Sequence, residues 1–197
     1  MLHLVLLAAL ATATPSPQPP IVADVLIGAG HEGRPQSCAR FPKHKCNLGA
    51  AGERELTPLV ADEATRILRA QGLRVARVPA DFAETYRVRA AVFLHFDGGT
   101  PPCSSRASIG YGRQSDAAGA DAWRDLYGKY WLFGFMPDNF TTNLSQYYGF
   151  RQVHASDSSL VIEFGELTCK PQQAWLLGHV HLLGELVAQF LKARSSL

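Results

Sequence analysis

Ala90-Ala91-Val92-Phe93-Leu94 is an unbroken apolar run that stops at His95, and Leu160-Val161-Ile162 stops in the same way at Glu163. Continuous rather than alternating apolar character is the mark of a strand buried on both faces, as in the sheet of an α/β protein. In such sheets ligands gather beyond the carboxyl ends of the strands. Each of these two runs ends there on a titratable side chain.

Working outward, short apolar runs bounded by Gly, Pro or polar clusters predict strands over 21–28, 73–78, 90–96, 107–111 and 159–164. Leu56, Leu59, Val60, Ala64, Ile67 and Leu68 keep helical spacing up to a stop at Gly72, with Glu53 and Glu55 at the start, where the helix dipole favours carboxylates. Leu176, Leu177, Val180, Leu183, Val187, Phe190 and Leu191 predict a C-terminal helix, and 117–130 a third. The stretch 131–150 is aromatic and rich in Gly and Asn, and reads as an irregular insert. There is no internal repeat. The expected fold is a three-layer α/β/α sandwich around a central, mostly parallel or mixed sheet, formed as one domain over 21–197.

With 47% hydrophobic and 18% charged residues the 197-residue chain has an ordinary globular composition. A net charge of +2 with scattered Lys and Arg argues against nucleic acid as a partner. Residues 1–13 are almost wholly apolar and end in Ala11-Thr12-Ala13, a small-x-small cleavage pattern, so a signal peptide is expected there. The apolar run is too short to span a bilayer, and no transmembrane segment is expected. The Pro-rich residues 14–20 read as a stiff spacer. The four cysteines agree with export: Cys38 and Cys46 bracket a short loop and are the easiest pair to close, which leaves Cys103 and Cys169. Four cysteines allow three pairings, and there is no C-x-x-C spacing to suggest a Cys-rich zinc site. A secreted or periplasmic protein is expected, and a monomer.

Four residues carry the chemistry. His31 follows Val22-Ala23-Asp24-Val25-Leu26-Ile27-Gly28-Ala29-Gly30, Glu53 (or Glu55) opens a helix, and His95 and Glu163 end apolar runs. Two imidazoles and a carboxylate make a catalytic zinc set, and a second carboxylate is the base such a site needs. Each has a plainer reading. His31 would be a loop histidine beside a tight glycine turn, Glu53 a helix-dipole carboxylate, His95 a core histidine, and Glu163 a carboxylate paired with an arginine. That all four fall at one sheet edge favours the shared site. Gly28, Gly30 and Gly33 around His31 imply a backbone that bends sharply and comes close to something.

The order Gly30-His31-Glu32-Gly33, Glu53-Arg54-Glu55-Leu56, Leu94-His95-Phe96-Asp97 and Leu160-Val161-Ile162-Glu163-Phe164-Gly165 resembles the zinc-dependent N-acetylmuramoyl-L-alanine amidases of type 3. The resemblance spans about 21–191. It implies hydrolysis of the amide between the lactyl group of muramic acid and L-alanine in peptidoglycan. It also implies His31, Glu53 and His95 as ligands of Zn2+, with Glu163 as the catalytic base, and it selects Glu53 over Glu55. The chain departs from the family pattern at Gly28, Glu32, Phe93, Asp97 and Glu166, which are expected to alter the surroundings of the ligands. Glu32, Asp97 or Glu166 are candidates to orient the imidazoles.

Among the other histidines, His154 is the spare candidate for substrate contact. His179 and His181 are expected on different faces of the C-terminal helix, and His44 lies in the Cys38–Cys46 loop. Trp123, Tyr127, Tyr130, Trp131, Tyr147 and Tyr148 read as core and insert packing, with some free to wall a sugar site or shield the metal. Asn139 and Asn143 head two glycosylation sequons. Two other functions fit the same sheet. One is a non-catalytic peptidoglycan-binding or regulatory protein. The other is a zinc carboxypeptidase, with Arg106 or Arg113 taking the substrate carboxylate.

Overall fold

A computed structural model describes residues 18–40 and 46–195. The expected signal peptide, most of the spacer and His44 lie outside the described residues. In chain order the elements are β1 (Ile21–Val22), β2 (Val25–Ala29), α1 (Glu53–Ala70), β3 (Val75–Val78), β4 (Tyr86–Asp97), β5 (Ser108–Gly110) and α2 (Ala117–Tyr127). Then come the single turns α3 (Thr142–Ser145) and α4 (Gly149–Gln152), followed by β6 (Val153–Glu166), α5 (Lys170–Gly178) and α6 (Val180–Ser195).

The six strands form one mixed sheet in the order β3-β2-β4-β6-β5, with β1 paired to the start of β4. Every pairing is parallel except that of β5 with β6. This is the expected α/β architecture, and Ala90 to Phe96 are buried without a break. The strand predicted over 21–28 is interrupted at Asp24. Its carboxylate accepts the Arg74 N–H at 2.7 Å and the Arg74 guanidinium at 2.6 Å, but β1 and β2 keep one register along β4.

The two faces of the sheet are covered unequally. Val25, Ile27, Val92, Leu94, Leu160 and Ile162 point toward α1, α2 and α6, and this side holds the main core, including the stacked Trp123 and Tyr127. Leu26, Ala91, Phe93 and Val161 point the other way. They are covered by the insert, through Leu144, Tyr147, Tyr148 and Phe150, which carries only the turns α3 and α4. The second helical layer is therefore thin, and it leaves a crevice beside the carboxyl ends of β4 and β6.

The predicted C-terminal helix is two helices, α5 and α6, bent by 72°. At the break the His179 ring stacks on Trp175 at 4.2 Å and its Nδ1 bonds the Trp175 carbonyl at 2.7 Å. Helical bonding would give that carbonyl to the backbone N–H of residue 179, which instead reaches Leu176 at 3.2 Å. The third helix stops at Tyr127, short of residue 130, with Gly128 as its cap. No single helix among the described residues is long and apolar enough to cross a membrane. Both disulfides, Cys38–Cys46 and Cys103–Cys169, are present.

Candidate metal centre

Strand periodicity puts two of the four expected residues side by side. Residues of one parity on a strand share a face, so His95 lies with Phe93 and Glu163 lies with Val161, both on the thinly covered side. The register makes His95 and Glu163 direct partners across β4 and β6. Both line a cavity of about 600 Å3 that also receives His31 and Glu53.

His31 follows β2 with a φ of 60°, in the left-handed region that non-glycine residues rarely enter. The turn reaches the site because residue 30 has no side chain. A Cβ on Gly30 would lie 2.5 Å from His95 Nδ1 and 2.6 Å from the Leu94 carbonyl. The close approach expected of the glycine turn is thus to His95 itself. From α1, the fully buried Thr57 hydroxyl donates to the Gly30 carbonyl at 2.6 Å, tying the helix to that turn.

Glu53 is the first residue of α1 and is buried. Its Oε2 accepts the Ala50 N–H at 2.8 Å, and its Oε1 accepts the Phe96 N–H at 3.0 Å. Oε1 also lies 3.0 Å from His95 Nδ1 and 3.4 Å from His31 Nε2. Glu55 points out to solvent beside Arg54. The three inward side chains offer ligand atoms that all lie within 4.8 Å of one another, a group that could hold a metal ion. Two imidazole nitrogens and one carboxylate oxygen are a donor set that suits zinc.

The outer nitrogens are anchored by groups that sequence spacing does not reveal. His31 Nδ1 lies 2.9 Å from the Asn47 carbonyl and 3.2 Å from Arg34 Nη1; the tautomer that donates Nδ1–H to this carbonyl presents its Nε2 lone pair to the group. Asn47 is held next to Cys46 of the first disulfide, and the same carbonyl accepts Arg34 at 2.8 Å. Arg34 in turn is gripped by Asp81 at 2.6 and 3.0 Å. His95 Nε2 lies 3.3 Å from the Tyr147 hydroxyl, contributed by the insert. Tyr147 and Tyr148 therefore wall the cavity, while Trp123, Tyr127 and Trp131 belong to the core.

The electrostatics separate His31 and Glu53 from Glu163. Burial pushes the His31 pKa down against the pull of Glu53, with His95 and Arg34 adding to the drop, so the neutral ligand form is preferred. Burial raises Glu53, but the His95 hydrogen bond, the two imidazoles and the Phe96 N–H outweigh it and leave its pKa lowered. Glu163 is different. Burial first, then the charges of Glu53 and Asp97, push its pKa well above the usual carboxylate range. Its Oε2 is buried with no hydrogen-bond partner.

Several expected contacts do not form. Glu32 binds Arg77 at 2.7 and 3.0 Å, Asp97 accepts Ser105 Oγ and the Gly98 N–H, and Glu166 accepts the N–H groups of Cys103 and Ser105. None of the three bonds an imidazole; His31 Nδ1 meets the Asn47 carbonyl and Arg34, and His95 meets Glu53 and Tyr147. His154 is the second residue of β6, nine residues before Glu163. At strand rise that is roughly 30 Å away. His181 is exposed between Glu63 and Glu185. Neither Arg106 nor Arg113 lines the cavity, and Arg113 is paired with Asp116.

No protein-family model matches the chain, and no curated protein matches it in sequence. Solved structures do match. The N-acetylmuramyl-L-alanine amidase Ami1 from Mycobacterium smegmatis superposes with a TM-score of 0.60 at 15% identity, over 91% of this chain and 99% of that one. The N-acetylmuramoyl-L-alanine amidase AmiC2 of Nostoc punctiforme gives 0.58 at 15% identity, over 88% and 96%. An N-acetylmuramoyl-L-alanine amidase from Clostridium difficile 630 gives 0.58 at 15% identity, also over 88% and 96%. The chain thus has the fold of these amidases, as a divergent example of it.

Proposed function

We propose that the chain is a zinc-dependent N-acetylmuramoyl-L-alanine amidase acting on peptidoglycan outside the cytoplasm. One observation carries this reading. Three ligand-type atoms lie within 4.8 Å of one another, and a buried carboxylate oxygen without a partner faces the same cavity. The amidase fold supports the substrate class, and the two disulfides support an oxidising compartment.

His31 Nε2, Glu53 Oε1 and His95 Nδ1 would hold the metal. When bound, zinc supplies a Lewis acid that polarises the scissile carbonyl and makes water acidic enough to attack. The protein does the rest. Asn47 and Tyr147 keep the two rings in place, and the Ala50 and Phe96 N–H groups fix Glu53. Glu163 takes the proton of the attacking water and passes it to the leaving nitrogen. A carboxyl whose pKa is raised suits both halves of that transfer.

The test is digestion of purified peptidoglycan with the released fragments read by mass spectrometry, with and without chelator. The expected products are stem peptides with a free L-alanine amine and glycan with intact lactyl groups, lost on chelation and restored by zinc. Cleavage at another bond, or cleavage indifferent to chelator, overturns the reading. Glu163→Ala should stop cleavage and still bind zinc.

A further inference from the structure

The sheet places a third residue in line with His95 and Glu163. His95 pairs with Glu163 across β4 and β6, and Glu163 pairs with Ser108 across β6 and β5. Neighbouring strands lie about 4.8 Å apart, so the three form one row along the cavity floor. The His31–Glu53–His95 group stands at one end of the row and Ser108 at the other. All three line the same cavity.

Ser108 has no structural use for its hydroxyl. Its chain neighbours Ala107 and Ile109 pack into the main core, so strand alternation turns Ser108 toward the opposite face, with Glu163. The residue is 1% exposed, and its Oγ has no hydrogen-bond partner. A buried hydroxyl left unpaired opposes folding, and alanine would fill the position without that cost. Among the described residues lining this cavity, two other buried side-chain oxygens lack a partner: Glu163 Oε2, next to Ser108 in the row, and the Tyr148 hydroxyl of the insert. Ser108 and Glu163 are register partners in one cavity wall, each with an unpaired oxygen, and this points to a ligand that pairs with both.

We propose that Ser108 is a substrate-contacting residue whose Oγ accepts the N–H of the amide being cut, on the side of Glu163 away from the metal-binding group. This rests on the amidase reading above. In that reaction the carbonyl lies toward the His31–Glu53–His95 end, and the nitrogen lies within reach of Glu163. The next group along the row is Ser108. Attack forms the bond from water oxygen to carbonyl carbon. The proton taken by Glu163 moves to the nitrogen, and the carbon–nitrogen bond then breaks to release the amine. As the nitrogen becomes pyramidal, holding its N–H toward Ser108 aims its lone pair away from Ser108 and at the Glu163 proton.

The test compares Ser108→Ala and Ser108→Thr in the full zinc-loaded chain acting on a muramoyl-L-alanine peptide. For Ser108→Ala the expected result is a fall in kcat of about 10- to 100-fold, the loss of one hydrogen bond to a group gaining charge. KM should stay within about threefold, zinc content should be full, and the urea midpoint should be at or above that of the wild type. Ser108→Thr keeps the hydroxyl and should retain most of kcat. An unchanged kcat in Ser108→Ala overturns the assignment. So does a loss of kcat that tracks a loss of stability and is not rescued by threonine. Wild-type protein that leaves the muramoyl amide intact overturns the amidase reading and this proposal together, whereas an active wild type with an unaffected Ser108→Ala overturns Ser108 alone.

Discussion

Glu163→Gln should make the metal-free protein more stable and the zinc-loaded protein inactive. The substitution keeps the shape of the side chain and puts an amide, neutral at every pH, where the carboxyl stood. In the metal-free protein the Glu163 pKa is raised by burial and by the charges of Glu53 and Asp97, and its Oε2 has no partner. The sign follows from linkage. Below the unfolded carboxylate range Glu163 is neutral in both states, so the variant has no advantage from charge. As pH rises, the unfolded chain loses this proton before the folded protein does, and wild-type stability falls relative to Gln. A buried polar group without a partner costs about 1–3 kcal/mol, and a charged one more. An advantage of about 2 kcal/mol at pH 8 corresponds to a melting temperature higher by about 4–8 °C for a domain of this size. The assay is thermal melting in chelator from pH 4.5 to pH 8. The gap should open with rising pH and narrow when zinc is added, because a nearby cation favours the ionised carboxylate. Turnover by the zinc-loaded variant should fall about 100- to 10,000-fold, the usual worth of a general acid–base group. Equal melting temperatures at pH 8, or a gap that does not depend on pH, would refute the electrostatic account of Glu163.

Tyr147→Phe keeps the ring against Phe93 and His95 but removes the hydroxyl 3.3 Å from His95 Nε2. Zinc affinity, measured by competition with a chromogenic chelator, should drop about 10- to 100-fold, with the melting temperature of the metal-free protein little changed. Gly30→Ala forces a methyl against the His95 ring and the Leu94 carbonyl. Urea unfolding should show a loss of about 1–3 kcal/mol from overpacking, and elemental analysis should show zinc content well below one per chain.

Much of the site is legible in the residues themselves. Apolar runs that end on His95 and Glu163 mark strand ends in a buried sheet, and the two candidates on β4 and β6 come together because parallel strands finish at the same edge. The helix that begins at Glu53 and the glycine turn before His31 are local signals, read from capping and spacing. Of the two glutamates at the start of the helix, Glu53 is buried and Glu55 exposed. The Glu32, Asp97 and Glu166 expectation fails for a physical reason. Charged side chains bind whatever partner the fold brings near, and here those partners are Arg77, Ser105 and the loop carrying Cys103.

By itself, then, the sequence determines the kinds of element, the two-sided burial of the central strands and the residue types gathered at their ends, because these follow from local periodicity and side-chain chemistry. Only the tertiary structure decides which backbone carbonyl holds His31, which tyrosine meets His95, how thinly the second face is covered and that Ser108 stands in line with Glu163. A carbonyl acceptor has no side-chain signature. Register between β4, β6 and β5 comes from pairing residues more than fifty positions apart, and no local pattern encodes it.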